Sequence, residues 1–168
     1  MSEVCQLGAC AQQAVDNFVI ADPQLQAGCQ KGKELCAAPE NDVVVLTDQG
    51  QMTDDAGNLL AYKTFTFARK KLGDCEWKNE SITVFSNGNY KDVYELKDHG
   101  TVFGDCFATA IKLQSASGHT FHEWKWGVKV AAGATWNDTV SGNSNAVKEA
   151  FNAITVASRD MVCSWPCY

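Results

Sequence analysis

The chain has 168 residues, 45% of them apolar and 20% charged, with a formal net charge of −6. That length suits one domain with one real core, and the composition excludes a disordered chain. The acidic balance argues against nucleic acid as a partner, because phosphates are bound by Lys/Arg surfaces that release their counterions.

Residues 1–40 read as a helical, disulfide-stapled N-terminal segment. Ala11, Ala14, Val15, Phe18 and Val19 recur at helical spacing, and Asp22-Pro23 stops that helix. A second short helix fits residues 33–38, before Pro39. Met1-Ser2-Glu3-Val4-Cys5 lacks the basic start and apolar stretch of a signal peptide, and Val43-Val44-Val45-Leu46 is too short to cross a bilayer.

Residues 42–131 read as an antiparallel β core. Val43 to Thr47 is rich in β-branched residues, and the polar stretch 48–58 reads as a loop. From Leu59 to Phe67 one strand alternates between two faces. The basic cluster Arg69-Lys70-Lys71 reads as a solvated strand end. Residues 81–85 and 90–96 flank Asn87-Gly88, a strong hairpin signal. Phe107, Thr109, Ile111 and Leu113 alternate with Cys106, Ala108, Ala110 and Lys112. Then Trp124, Trp126, Val128 and Val130 alternate with Glu123, Lys125, Gly127 and Lys129, a strand with one apolar face. Residues 131–143 read as a turn-rich segment. A helix is expected over 144–158, capped by Ser144 or Asn145 and carrying Val147, Phe151 and Ile154 on one stripe. Short strands joined by tight turns predict a mainly β fold, either an antiparallel β-sandwich or a small β-barrel.

The eight cysteines are Cys5, Cys10, Cys29, Cys36, Cys75, Cys106, Cys163 and Cys167. An even count without zinc-finger spacing predicts disulfides and an oxidising, extracellular location. Cys5 and Cys10 are placed to pair with Cys29 and Cys36. Cys75 and Cys106, each following Gly-Asp, are placed to bridge neighbouring strands. Cys163 and Cys167 close a small loop around Trp165-Pro166, or the tail is pinned to the N-terminus.

Phe65-Thr66-Phe67, Gly73-Asp74-Cys75, Asn87-Gly88, Asp105 with Phe107 to Leu113, Gly118, Trp136, Phe151 and Ile154 form a pattern over residues 64–154. In it the chain resembles a bacterial domain-of-unknown-function family, number 6294. The chain has Phe67 where the family's opening F-x-W has Trp. The resemblance implies a small bacterial β-domain and carries over no catalytic residue.

Several groups carry candidate chemistry. His119 and His122 sit close in sequence, but on a strand residues three apart face opposite ways. Asp48, Asp54 and Asp55 share a loop without the EF-hand spacing. Asp74 and Asp105 form a carboxylate pair if their strands are neighbours. Trp124 and Trp126 read as core. Trp77, Trp136 and Trp165 lie in more polar settings and suit a sugar ring or a protein hot spot. Asn79-Glu80-Ser81 and Asn137-Asp138-Thr139 are glycosylation sequons.

These features point to a secreted binding module, without enzyme activity or cofactor, recognising a glycan or protein surface of another cell through Trp77, Trp136, Trp165, Asp74 and Asp105. The alternatives are a secreted toxin acting at a target membrane surface, and a small hydrolase using Asp74/Asp105 or His119/His122.

Overall fold

The computed structural model describes residues 40–164. They form ten strands and one short helix: β1 (Glu40–Val45), β2 (Asp48–Thr53), β3 (Leu59–Thr66), β4 (Lys70–Leu72), β5 (Cys75–Phe85), β6 (Asn89–Asp98), β7 (Asp105–Gln114), β8 (Thr120–Val130), β9 (Thr135–Asn143), α1 (Asn145–Ala150) and β10 (Val156–Ser164). The predicted helices over residues 9–20 and 33–38 lie outside the described residues.

The strands make two antiparallel sheets. One has the order β1-β10-β7-β8; the other has the order β2-β3-β5-β6-β9, with β4 added on β5. The sheets face each other in a sandwich and neither closes into a barrel. Between them lie Phe65, Trp77, Ile82, Val84 and Leu96 from one sheet and Phe107, Ile111, Leu113, Trp124 and Trp126 from the other. The period-two pattern of β8 therefore puts its apolar face inward.

Turn chemistry fixes the hairpins. Gly88 has a φ of 92°, which a side chain would strain, and its N–H donates to the Phe85 carbonyl at 2.9 Å. The Asn87 side chain accepts from the Asn89 N–H at 3.0 Å. Between β2 and β3, Asp54 Oδ1 accepts from the N–H groups of Ala56 and Asn58. Those bonds, the one to Asn58 foremost, hold the Asp54 carboxyl below its ordinary range. Asp54 is thus a turn-capping residue.

Three expectations for secondary structure are corrected. Residues 48–53 form strand β2, not loop, and residues 135–143 form strand β9. Both are sheet-edge strands with mostly exposed side chains, so neither needs the apolar alternation that marks a strand. The helix of 144–158 is only the six residues of α1. Ser144 caps it, accepting from the Val147 N–H at 3.4 Å. The amine of Lys63 then ends it, donating to the carbonyls of Phe151, Asn152 and Ile154 at 2.7, 3.2 and 2.8 Å. The chain turns and enters β10, an interior strand between β1 and β7.

The cysteine expectations are corrected too. Cys75 on β5 is bonded to Cys163 on β10, 88 residues apart in sequence. This rules out both the Cys75–Cys106 bridge and the Cys163–Cys167 loop. Cys75 and Cys106 lie on strands of different sheets, so they are not strand neighbours. Cys106 is itself disulfide-bonded. The remaining cysteines lie outside the described residues.

Candidate functional site

The β5–β6–β9 part of the larger sheet carries an open groove of about 530 Å³, lined by Asn79, Val93, Tyr94, Glu95, Asn137, Asp138 and Thr139. Its shape begins with a register shift in β5 between Lys78 and Ser81. Asn79 takes up the extra residue with a φ of 51°, the one non-glycine residue with positive φ among the described residues. Asparagine tolerates that conformation better than most residues.

Pairing of β6 with β9 sets Glu95 opposite Asn137, Tyr94 opposite Asp138, and Val93 opposite Thr139. Glu95 is held from the β5 side. Lys78 Nζ reaches its Oε1 at 3.2 Å and Asn79 Nδ2 its Oε2 at 3.2 Å. Asp138 accepts from the Thr139 N–H at 2.7 Å. The Tyr94 hydroxyl also bonds the Asp138 side chain; burial, then the negative charge of Asp138, pushes the phenol's pKa up. The groove thus offers two carboxylates, two carboxamides and two hydroxyls beside the apolar Val93. Such a set accepts and donates hydrogen bonds in adjacent pairs.

The residues expected to bind a ligand are only partly brought together. Trp136 lies on β9 next to Asn137 and is 43% exposed. Trp77 is corrected: it is fully buried, donates through Nε1 to Thr109 Oγ1 at 2.9 Å, and packs edge-on against Phe107. Trp165 lies outside the described residues. Asp74 is exposed and Asp105 is buried. These two share one end of the sandwich with Asp98, whose carboxylate accepts from the N–H groups of Gly100 at 2.6 Å and Asp105 at 2.9 Å. Burial, and then the charges of Asp98 and Asp74, push the Asp105 carboxyl up to about 6. Nearby, buried Glu76 pairs with His99 and Arg69. Burial alone would raise the Glu76 carboxyl, but its bonds to His99 and Arg69 bring it below its ordinary value.

His119 and His122 do not converge. His119 packs on Phe121, whereas His122 packs on Tyr90 and Trp124. Burial lowers the pKa of His122.

A further charged group was not expected from sequence. Arg159 on β10 is fully buried. It donates to Glu80 at 2.6 Å, to Asp42 at 2.6 Å and to the Ala68 carbonyl at 3.0 Å. Its guanidinium stacks over the Phe67 ring. Asp92, also fully buried, accepts from the indole N–H groups of Trp124 and Trp126 at 3.1 and 3.2 Å. Burial pushes the carboxyls of both Glu80 and Asp92 up, and the charge of Asp92 adds to the shift of Glu80. Two like charges buried near one another favour the protonated form of at least one of them. One sign of this group is visible in sequence: Asp92 falls on the inward phase Tyr90, Asp92, Tyr94, Leu96. Arg159, Glu80 and Asp92 are fully buried, and the Arg159–Glu80 pair joins β10 of one sheet to β5 of the other.

No family model matches the chain, so the resemblance to family 6294 is not confirmed. No curated protein matches it either. Among solved structures, the chain is similar to a DUF1425 family member from Shewanella sp. pv-4, at 8% identity and a TM-score of 0.31, over 74% of this chain and 97% of that one. At that level the likeness carries no argument about function.

Proposed function

We propose that this chain is a non-enzymatic module that binds a glycan through the groove between β6 and β9. The observation that carries the reading is the groove's lining. Glu95, Asp138, Asn79 and Asn137 set paired acceptors and donors around Val93. Neighbouring sugar hydroxyls each present a donor and an acceptor at that spacing, and the C–H face of a sugar ring packs on apolar surface. The Cys75–Cys163 disulfide favours an oxidising, extracellular setting, where glycans are displayed.

A glycan array probed with the labelled protein tests the proposal. Binding to a restricted set of glycans, weakened by about tenfold or more in Asn137→Ala/Asp138→Ala, is expected. Both side chains are exposed, so the variant keeps the fold. An array without hits, or hits unchanged in the variant, would reject it.

A further inference from the structure

Sulfur atoms of Cys75 and Cys163 and a carboxylate oxygen of Asp105 all lie within 4.8 Å of one another. Three strands supply them: β5, β10 and β7. Asp105 is 3% exposed and Asp98 is fully buried. Among the described residues no cation forms an ion pair with Asp105, Asp98 or Asp74. Among the described residues the charges that act on the Asp105 carboxyl are those of Asp98 and Asp74, both negative. In the oxidised protein its sulfur neighbours are neutral, and the described residues supply the carboxyl no counter-ion.

We propose that the Cys75–Cys163 disulfide is a latent metal site: on reduction the two thiolates and the Asp105 carboxylate bind a thiophilic divalent cation such as Zn²⁺. The chemistry balances with a dithiol as reductant. The dithiol gives two electrons and two protons, the S–S bond breaks, both cysteines become thiols, and the reductant becomes a disulfide. Zn²⁺ then displaces the two thiol protons. Two sulfurs and one oxygen are a donor set that zinc accepts, with the fourth position left to water. The cation would supply positive charge that no described residue brings to Asp74, Asp98 and Asp105, and would replace the covalent cross-link between β5 and β10 by a coordinate one.

The test compares Zn²⁺ uptake by the full chain, oxidised and after treatment with a metal-free phosphine reductant. Other cysteines are reduced as well, so the readout is a difference between variants. Reduced wild type is expected to hold one more equivalent of Zn²⁺ than reduced Cys75→Ser/Cys163→Ser, and the oxidised protein to lack that equivalent. Asp105→Asn is expected to bind the extra equivalent at least tenfold more weakly. With Co²⁺ as probe, the reduced wild type is expected to show a thiolate charge-transfer band that the double serine variant loses. Equal uptake by wild type and the double variant would overturn the proposal, as would uptake indifferent to Asp105→Asn. A reduced chain that unfolds, by circular dichroism, and is not refolded by Zn²⁺ would overturn it too.

Discussion

Tyr94 on β6 lies flat against Trp126 on β8, with ring centroids 3.8 Å apart and planes 4° from parallel. Tyr94 also lines the groove, and Trp126 donates to Asp92 in the core. One stacked pair therefore ties the groove to the opposite sheet. Trp126→Ala should cost about 3–5 kcal/mol, because it opens a cavity and removes a donor from buried Asp92. Urea denaturation followed by circular dichroism measures it. A loss below about 1 kcal/mol would mean that the pair contributes little.

The Asp105 carboxyl predicts a pH dependence of definite sign. Its folded pKa, about 6, stands above its ordinary value of 3.8. The folded state therefore binds the proton more tightly. That contribution to stability is complete below the ordinary value and is lost as pH rises toward about 6. The Glu80 and Asp92 pair acts in the same direction. Thermal unfolding of wild type and Asp105→Asn between acid and neutral pH isolates the Asp105 part. The variant should gain relative to wild type as pH rises through this window. Parallel curves would contradict the assignment.

Joining residues 88 apart, the Cys75–Cys163 bond restricts a long loop of the unfolded chain. Cys75→Ala/Cys163→Ala should lose about 2–5 kcal/mol. Guanidinium denaturation without reductant checks this, and an unchanged midpoint would show that the bond does not form in the folded protein.

Lys63 serves three carbonyls beyond the end of α1, and no apolar substitute can do so. Lys63→Met should destabilise the fold by about 2–3 kcal/mol and speed amide exchange in α1 before it affects β5 or β6. Hydrogen exchange read by mass spectrometry would show this order. Uniform loss of protection would contradict the local role.

The fold was legible where packing imposes a period. Trp124 and Trp126 alternate with charged residues because one face of β8 meets the core. Asn87-Gly88 marks its hairpin because only certain residues take that turn. The edge strands β2 and β9 were not legible, since solvent places no apolar demand on them. β10 was hidden for a different reason. Its interior carries Ser158 and Arg159, which look like surface residues until Glu80 and Asp42 are seen to neutralise the arginine. Of the predicted ligand-binding residues, Trp136 keeps an exposed side chain but pairs with Leu96 and does not line the groove, whereas Trp77 is core. The groove itself depends on the β5 register shift and the β6–β9 pairing, neither of which leaves a local motif. Asn79 and Asn137 drew notice as sequons, but their convergence around Glu95 is a product of strand order.

Titration of the isotope-labelled protein with an oligosaccharide selected on the array, followed by amide chemical shifts, tests the groove most directly. The account predicts that Asn79, Val93, Glu95, Asn137 and Thr139 shift together with increasing sugar, and that Asn137→Ala weakens the effect. Shifts confined to another face of the sandwich, or none at saturating sugar, would contradict it.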